Sequence, residues 1–206
     1  MNMIYTVGHS SHTLEHFLSL LKKHDITVVT DVRSTPYSRH NPQFNRESLS
    51  QALKAIEIGY VFLGKELGAR SEDPDCYVEG QARYELIAQT PLYQEGLSRV
   101  LRGAASYRIG LMCAEADPVT CHRTILVGRS LIEQGANVAH IHGDGHLESQ
   151  SALEKRLIRI TGLAQGDLFT SRDAVEVAYE RQGRRIAYIQ RAPPNATLTP
   201  PDISEA

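Results

Sequence analysis

Short β-prone runs alternate with stretches of helical periodicity along most of this chain, and that alternation constrains the fold more than any other feature. The clearest run is ITVVTDV at 26–32, continuous and β-branched, the pattern of a strand buried on both faces of a parallel sheet. Further runs lie at 3–7, 60–63, 107–113 and 137–141. Between them the spacing predicts helices over 14–24, 46–58, 81–88, 92–102, 121–134 and 147–160. Gly59, Gly135 and Gly162 read as stops for the second, fifth and sixth. Thr13 offers an N-cap, although His16 stands where a capping box needs an acid or amide. Pro91 suits a first helical turn, where a missing N–H costs little. Parallel neighbours need crossovers, so the pattern implies an α/β fold: a mostly parallel sheet with helices on both faces, Rossmann-like in its three layers.

Residues 33–45 and 64–80 read as loops, and the second is long enough for a lid or a binding loop. The α/β domain is expected over 1–162. An extension follows over 163–191, with a helix at 171–181 and a short edge strand at 185–190. The segment 192–206, APPNATLTPPDISEA, is Pro-rich and almost free of core residues, and is expected to be a disordered tail.

Charge and cysteine usage narrow the function classes. The 22 basic and 24 acidic residues leave a net charge of −2, which argues against wholesale coating of nucleic acid but permits a local basic patch. No apolar run reaches the ~18 residues of a membrane span. The opening MNMIYTVGHSS lacks the basic and apolar regions of a secretion signal. Three cysteines, Cys76, Cys113 and Cys121, do not make a disulfide framework. The expectation is a cytoplasmic protein without membrane attachment. The sequence specifies neither a cofactor nor an oligomeric state.

In parallel α/β sheets ligands bind beyond the carboxyl ends of strands. Four such ends carry polar clusters here: Gly8-His9-Ser10, Asp31-Val32-Arg33-Ser34, Cys113-Ala114-Glu115 leading to Cys121-His122-Arg123, and His140-Ile141-His142. Cys121, placed near a helix N-terminus beside a cation, is a candidate thiolate, with Cys113 as a second thiol. The competing reading makes both small buried hydrophobes. A phosphatase-type Cys-x5-Arg loop from Cys113 fails, because Val119 occupies the Arg position.

A tetrahedral metal set of Cys113, Cys121 and His122 with His9 or Glu115 is conceivable. It lacks paired Cys-x2-Cys spacing, and adjacent Cys121 and His122 would diverge on a helix, so the site is read without a metal. Arg33, Arg39 and Arg123, with Ser10 and Ser34, are the candidate anion holders. Arg33, Arg39, His40 and Arg46 interleave with Tyr37 and Phe44 in an acid-free stretch suited to phosphate and a stacked base. His9 and Asp31 would form an acid–base pair if their strands were neighbours. His140, His142 and His146 read as structural or supporting residues.

The strings TVGHS, TDVRSTPYSRHNPQF, FLGKELGAR and LMCAEADPVTCHR resemble the domain of unknown function 488 family, in order, over most of residues 3–145. LMCAE followed by P-x-x-CHR is the specific part. Ala69 stands where a second glycine is expected after Gly68. The resemblance implies one α/β domain with these motifs lining one site, and it implies no particular reaction.

The leading expectation is an enzyme acting on a phosphate-bearing substrate, a nucleotide or nucleic acid. Cys113 and Cys121 would supply thiol chemistry, Arg33 and Arg123 would hold the anion, and His9, Asp31, Glu115 and His122 would move protons. The alternatives are a nucleotide or nucleic-acid binding module without turnover, and a metal-binding redox protein.

Overall fold

The structure, a computed structural model, describes residues 3–163 and 171–190. Strands β1 (Ile4–Gly8), β2 (Val28–Asp31), β3 (Gly59–Phe62), β6 (Ile109–Cys113), β7 (Val138–Ile141) and β8 (Leu147–Ser149) form one sheet in the order β3-β2-β6-β1-β7-β8. The first five are parallel, and β8 returns antiparallel to β7. Side-chain alternation along the strands explains the three layers. Tyr5, Val7, Val29, Met112, Ala139 and Ile141 pack on one face with Phe17, Leu20 and Leu21 of α1 (Leu14–Lys23) and Leu49 and Leu53 of α2 (Arg46–Lys54). Ile4, Ile109, Leu111 and Val138 pack on the other face. There they meet Leu97 and Val100 of α5 (Pro91–Ala104) and Leu153 and Leu157 of α7 (Gln150–Ile160). Burying a side chain of this kind contributes about 1.5–3 kcal/mol, so two such faces hold the sheet without a covalent staple.

The expected caps are present where local chemistry alone decides them. The Thr13 hydroxyl accepts from the His16 N–H, Thr90 caps α5 ahead of Pro91, and Gly135 and Gly162 take positive φ at helix ends.

Other local readings need correction. Gly59 opens β3 instead of closing a helix; α2 ends at Lys54, and a Cβ at Gly59 would press on Val28 at 3.2 Å. The stretch 64–80 is structured, holding α3 (Gly64–Leu67), a 3-10 turn (Pro74–Cys76) and β4 (Tyr77–Val78). Residues 81–88 split into β5 (Gln81–Ala82), which pairs with β4, and α4 (Tyr84–Ile87). Residues 147–149 are β8, not helix.

Helix α8 spans Ser171–Ile186 and so takes in the start of the expected edge strand; an isolated bridge from Ile189 to Gln81 is what strand character remains there. The proposed tail at 192–206 lies outside the described residues. Among the described residues no helix is long and apolar enough to cross a membrane.

The expected helix at 121–134 is made of unlike pieces. A 3-10 turn (Pro118–Thr120) leads to Cys121, whose backbone is extended at φ −128 and ψ 138. A π-helical segment (Arg123–Gly128) then runs into α6 (Arg129–Glu133). Such segments in short runs commonly mark functional sites.

Candidate functional site

The site is built by the loop from Cys113 to Cys121, which leaves the end of central strand β6. Cys113 and Ala114 are held to β1 through N–H donations from His9 and Ser10 to their carbonyls, both 2.9 Å. Gly8 permits this approach, since a Cβ there would lie 1.9 Å from the Glu115 carbonyl oxygen. Arg123, fully buried, donates to the carbonyls of Glu115 (2.6 Å) and Ala116 (3.1 Å). Asp117 caps the turn through the Val119 N–H and is gripped by Arg156 at 2.9 Å on both oxygens. From α8, Gln182 donates to the Val119 carbonyl at 2.7 Å.

This scaffold brings four reactive groups together. Donor atoms of Cys113, Glu115, Cys121 and His122 all lie within 4.8 Å of one another. One Glu115 oxygen sits 3.0 Å from the Cys113 sulfur and 2.9 Å from the Cys121 sulfur. His122 Nδ1 lies 3.6 Å and 3.9 Å from the same sulfurs. The other ring nitrogen, Nε2, meets the Val32 carbonyl at 2.9 Å and must donate to it, so Nδ1 of the neutral ring is the bare acceptor. The sequence-based objection that Cys121 and His122 diverge on a helix fails because Cys121 is extended and precedes the helix. Its carbonyl accepts from the Ile125 N–H, and its sulfur accepts from the Arg123 N–H at 3.4 Å, which makes Cys121 a sulfur N-cap.

The two thiols are driven apart electrostatically. Burial opposes ionisation of Cys121, but the Cys113 hydrogen bond, the Arg123 charge and His122 outweigh it and hold its thiol well below the usual range. Burial, then the hydrogen bond and negative charge of Cys121, push the Cys113 thiol well up. Burial and the Cys121 charge raise the Glu115 carboxyl. For His122 burial lowers the pKa, and the Cys121 and Glu115 interactions more than offset it, raising it.

Cys113, Glu115 and His122 line a pocket of about 250 Å³ together with Ser34, Thr35, Arg70, Tyr84 and Tyr188, while the buried Cys121 is not part of its wall. Larger hollows elsewhere, of about 450 and 600 Å³, have no cysteine or histidine in their walls. Tyr84 is buried and shares the lining of the smaller pocket, and its hydroxyl pKa is raised by burial and then by the Cys121, Glu115 and Cys113 charges. Arg70, an exposed rim cation, stacks on the Tyr188 ring at 4.5 Å. Tyr84, Arg70 and Tyr188 escaped the sequence reading; the one available signal was the long loop at 64–80, which contains Arg70.

The remaining sequence candidates sit elsewhere or are already engaged. Asp31 and His9 are not neighbours, because β6 lies between their strands. Both Asp31 oxygens bind Arg33, at 2.9 and 2.7 Å, and Tyr60 donates to Asp31 at 2.7 Å. Arg33 also donates to the Phe44 carbonyl at 2.8 Å and to His9 Nε2 at 3.2 Å. It borders the pocket as the neutralised half of a buried ion pair. His9 donates from Nδ1 to the Ser10 carbonyl and stacks on Phe44, and burial lowers its pKa to about 4. Both its nitrogens are therefore taken. Arg123 serves loop carbonyls, so it acts as a scaffold with a nearby charge and not as an anion clamp. Ser34 lines the pocket and accepts from the Arg70 N–H at 3.1 Å. Ser10 has positive φ and pairs through its backbone, while Arg39 is exposed; neither lines the pocket.

Fold and site together define a three-layer α/β protein with a thiol, carboxyl and imidazole cluster beyond the ends of its central strands. The chain belongs to the family described as Domain of unknown function DUF488, whose model matches residues 13–130, more than half of its 206 residues. That span includes the 30–44, 62–70 and 111–123 motifs, and TVGHS precedes it. No curated protein and no solved structure matches the chain.

Proposed function

We propose that this protein is an enzyme whose reaction centre is the Cys113–Glu115–Cys121–His122 cluster, acting on a small phosphate-bearing substrate, a nucleotide or a nucleic-acid end. The convergence of these four groups on one point beside a pocket carries the reading. Packed cysteines need no carboxylate against them, and bringing one there carries a desolvation cost that structure alone does not repay. Cys121 supplies anionic sulfur, Glu115 accepts or returns a proton, and Tyr84, in the same lining, donates from its hydroxyl to a bound group. Arg33 and Arg123 are engaged inside the protein, so the phosphate falls to Arg70 with Ser34 and Thr35. The pocket volume suits a small substrate or the terminal group of a larger one.

The test is a turnover screen over nucleotides, phosphate esters and short oligonucleotides, with binding measured in parallel. Glu115→Gln is expected to lower turnover at least about a hundredfold while ligands still bind. Arg70→Ala is expected to weaken phosphate-bearing ligands about tenfold or more. Binding without turnover across the panel, unchanged in Glu115→Gln, would establish a binding module instead. Failure of every phosphate-bearing ligand to bind would remove the substrate class.

A further inference from the structure

We propose that the cluster is the ligand set of a single zinc ion, with Cys113, Cys121 and His122 as fixed ligands and Glu115 as an exchangeable fourth. The inference deepens the reading of this cluster as a reaction centre, and rests on that reading for what the ion would do.

The donor types are right for zinc: two thiolate sulfurs, one imidazole nitrogen and one carboxylate oxygen. Zinc–sulfur bonds of about 2.3 Å and zinc–nitrogen bonds of about 2.0–2.1 Å at tetrahedral angles require sulfur-to-nitrogen edges of about 3.6 Å. The observed edges are 3.6 Å from Cys113 and 3.9 Å from Cys121. The sulfur-to-oxygen edges, by the same geometry also about 3.6 Å, are only 3.0 and 2.9 Å. The carboxylate is therefore the group that must move to admit the ion. It is also the one exposed residue of the four.

The surroundings are those of a prepared ligand set. Metal-bound histidine characteristically donates its second nitrogen to a carbonyl or carboxylate, which fixes the tautomer. His122 does this to the Val32 carbonyl, so Nδ1 is the nitrogen turned toward the sulfurs. The Arg123 N–H donates to the Cys121 sulfur, and the carbonyl of Cys113 is held by β1. Two thiolates and a carboxylate, set against a divalent ion and the buried Arg123 guanidinium, leave no net charge in the protein interior. A dithiol redox pair needs neither the imidazole nor the carboxylate. Sets of two cysteines and one histidine that keep a fourth position open are catalytic zinc sites. With Glu115 swung aside, that position faces the pocket, where a bound water would lose its proton to the Glu115 carboxylate and become hydroxide.

The experiment measures metal, not turnover. Tag-free full-length protein, kept reduced and purified without chelator from zinc-supplemented cells, is analysed by inductively coupled plasma mass spectrometry. About one zinc per chain is expected. Apoprotein titrated with Co²⁺ should develop a thiolate-to-cobalt charge-transfer band and the intense visible bands of a tetrahedral ion. Cys113→Ser, Cys121→Ser and His122→Ala should each weaken Co²⁺ binding by at least a hundredfold. Glu115→Gln should keep one equivalent and shift the visible bands. Circular dichroism of each apoprotein separates ligand loss from unfolding.

Wild-type protein with free thiols that neither carries zinc nor takes up Co²⁺ overturns the proposal. So does a folded Cys113→Ser or Cys121→Ser variant that binds as the wild type does. Zinc bound without turnover of any phosphate-bearing substrate leaves this inference standing and ends the enzyme reading. Protein that takes up neither zinc nor Co²⁺ yet turns substrate over in dependence on Cys121 does the reverse.

Discussion

Replacing Arg33 by methionine removes a cation from a place water does not reach. In the native ion pair Arg33 is 6% and Asp31 0% exposed, and the guanidinium makes two contacts to the carboxylate, at 2.9 and 2.7 Å. Asp31 keeps the Arg33 backbone N–H at 3.1 Å and the Tyr60 hydroxyl at 2.7 Å, and neither brings positive charge. Phe44 loses the donor to its carbonyl, which loosens the segment that covers β2. Breaking a buried pair from one side costs about 3–5 kcal/mol, because the surviving charge is uncompensated. With a urea slope of about 2–3 kcal/mol per molar, the midpoint should fall by about 1–2.5 M. The assay is urea unfolding followed by circular dichroism at pH 7, on Arg33→Met and on the double variant Asp31→Asn/Arg33→Met. The double variant should recover more than half of the loss, since no lone charge remains. An Arg33→Met protein within about 1 kcal/mol of wild type would refute the argument. So would a double variant no better than the single. Lost phosphate binding in an Arg33 variant would therefore report on the fold and not on an anion clamp.

Acid should unfold the protein through its buried neutral histidines. His9 and His140 both have folded pKa values lowered to about 4, chiefly by burial, against about 6.5 unfolded. Between those values the unfolded chain binds more protons, so stability falls as pH drops from about 6.5 toward 4, by about 2 kcal/mol per histidine at pH 5. Urea midpoints at pH 7 and 5 check this, and equal midpoints would contradict it. Gly8→Ala sets a Cβ 1.9 Å from the Glu115 carbonyl oxygen, backbone against backbone. It should cost at least about 2–3 kcal/mol and raise iodoacetamide labelling of Cys113 and Cys121 as the loop is displaced. A folded variant with native stability and protected thiols would show that the approach at Gly8 is not needed.

What the sequence made legible was local. The run at 26–32, the Thr13 cap and the polar ends of β1, β2 and β6 follow from periodicity and from side chains acting on their own backbone. Strand order was not legible, because β6 enters between β1 and β2 after an excursion of about fifty residues, and no local pattern encodes such pairing. That hidden insertion undid the His9–Asp31 pair. The Asp31–Arg33 pair did have a signal: residues two apart at a strand end point to one side. Arg123 had none, since backbone carbonyls as partners leave no mark in sequence. Cys121 looked helical, but the turn that begins at Pro118 kept it extended, and that single residue brings sulfur and imidazole to one point.

Part of the pocket wall lies outside the family match. Ile186 and Tyr188 lie beyond the stretch 13–130 that the family model matches, whereas Cys113, Glu115, Cys121 and His122 lie inside it. From the extension, the Gln182 amide donates to the Val119 carbonyl of the Cys113–Cys121 loop. The cluster and this part of its pocket wall thus lie on different lengths of chain. Substitutions at 186 and 188 would reshape the pocket while the cluster stays where β6 and the loop after it hold it.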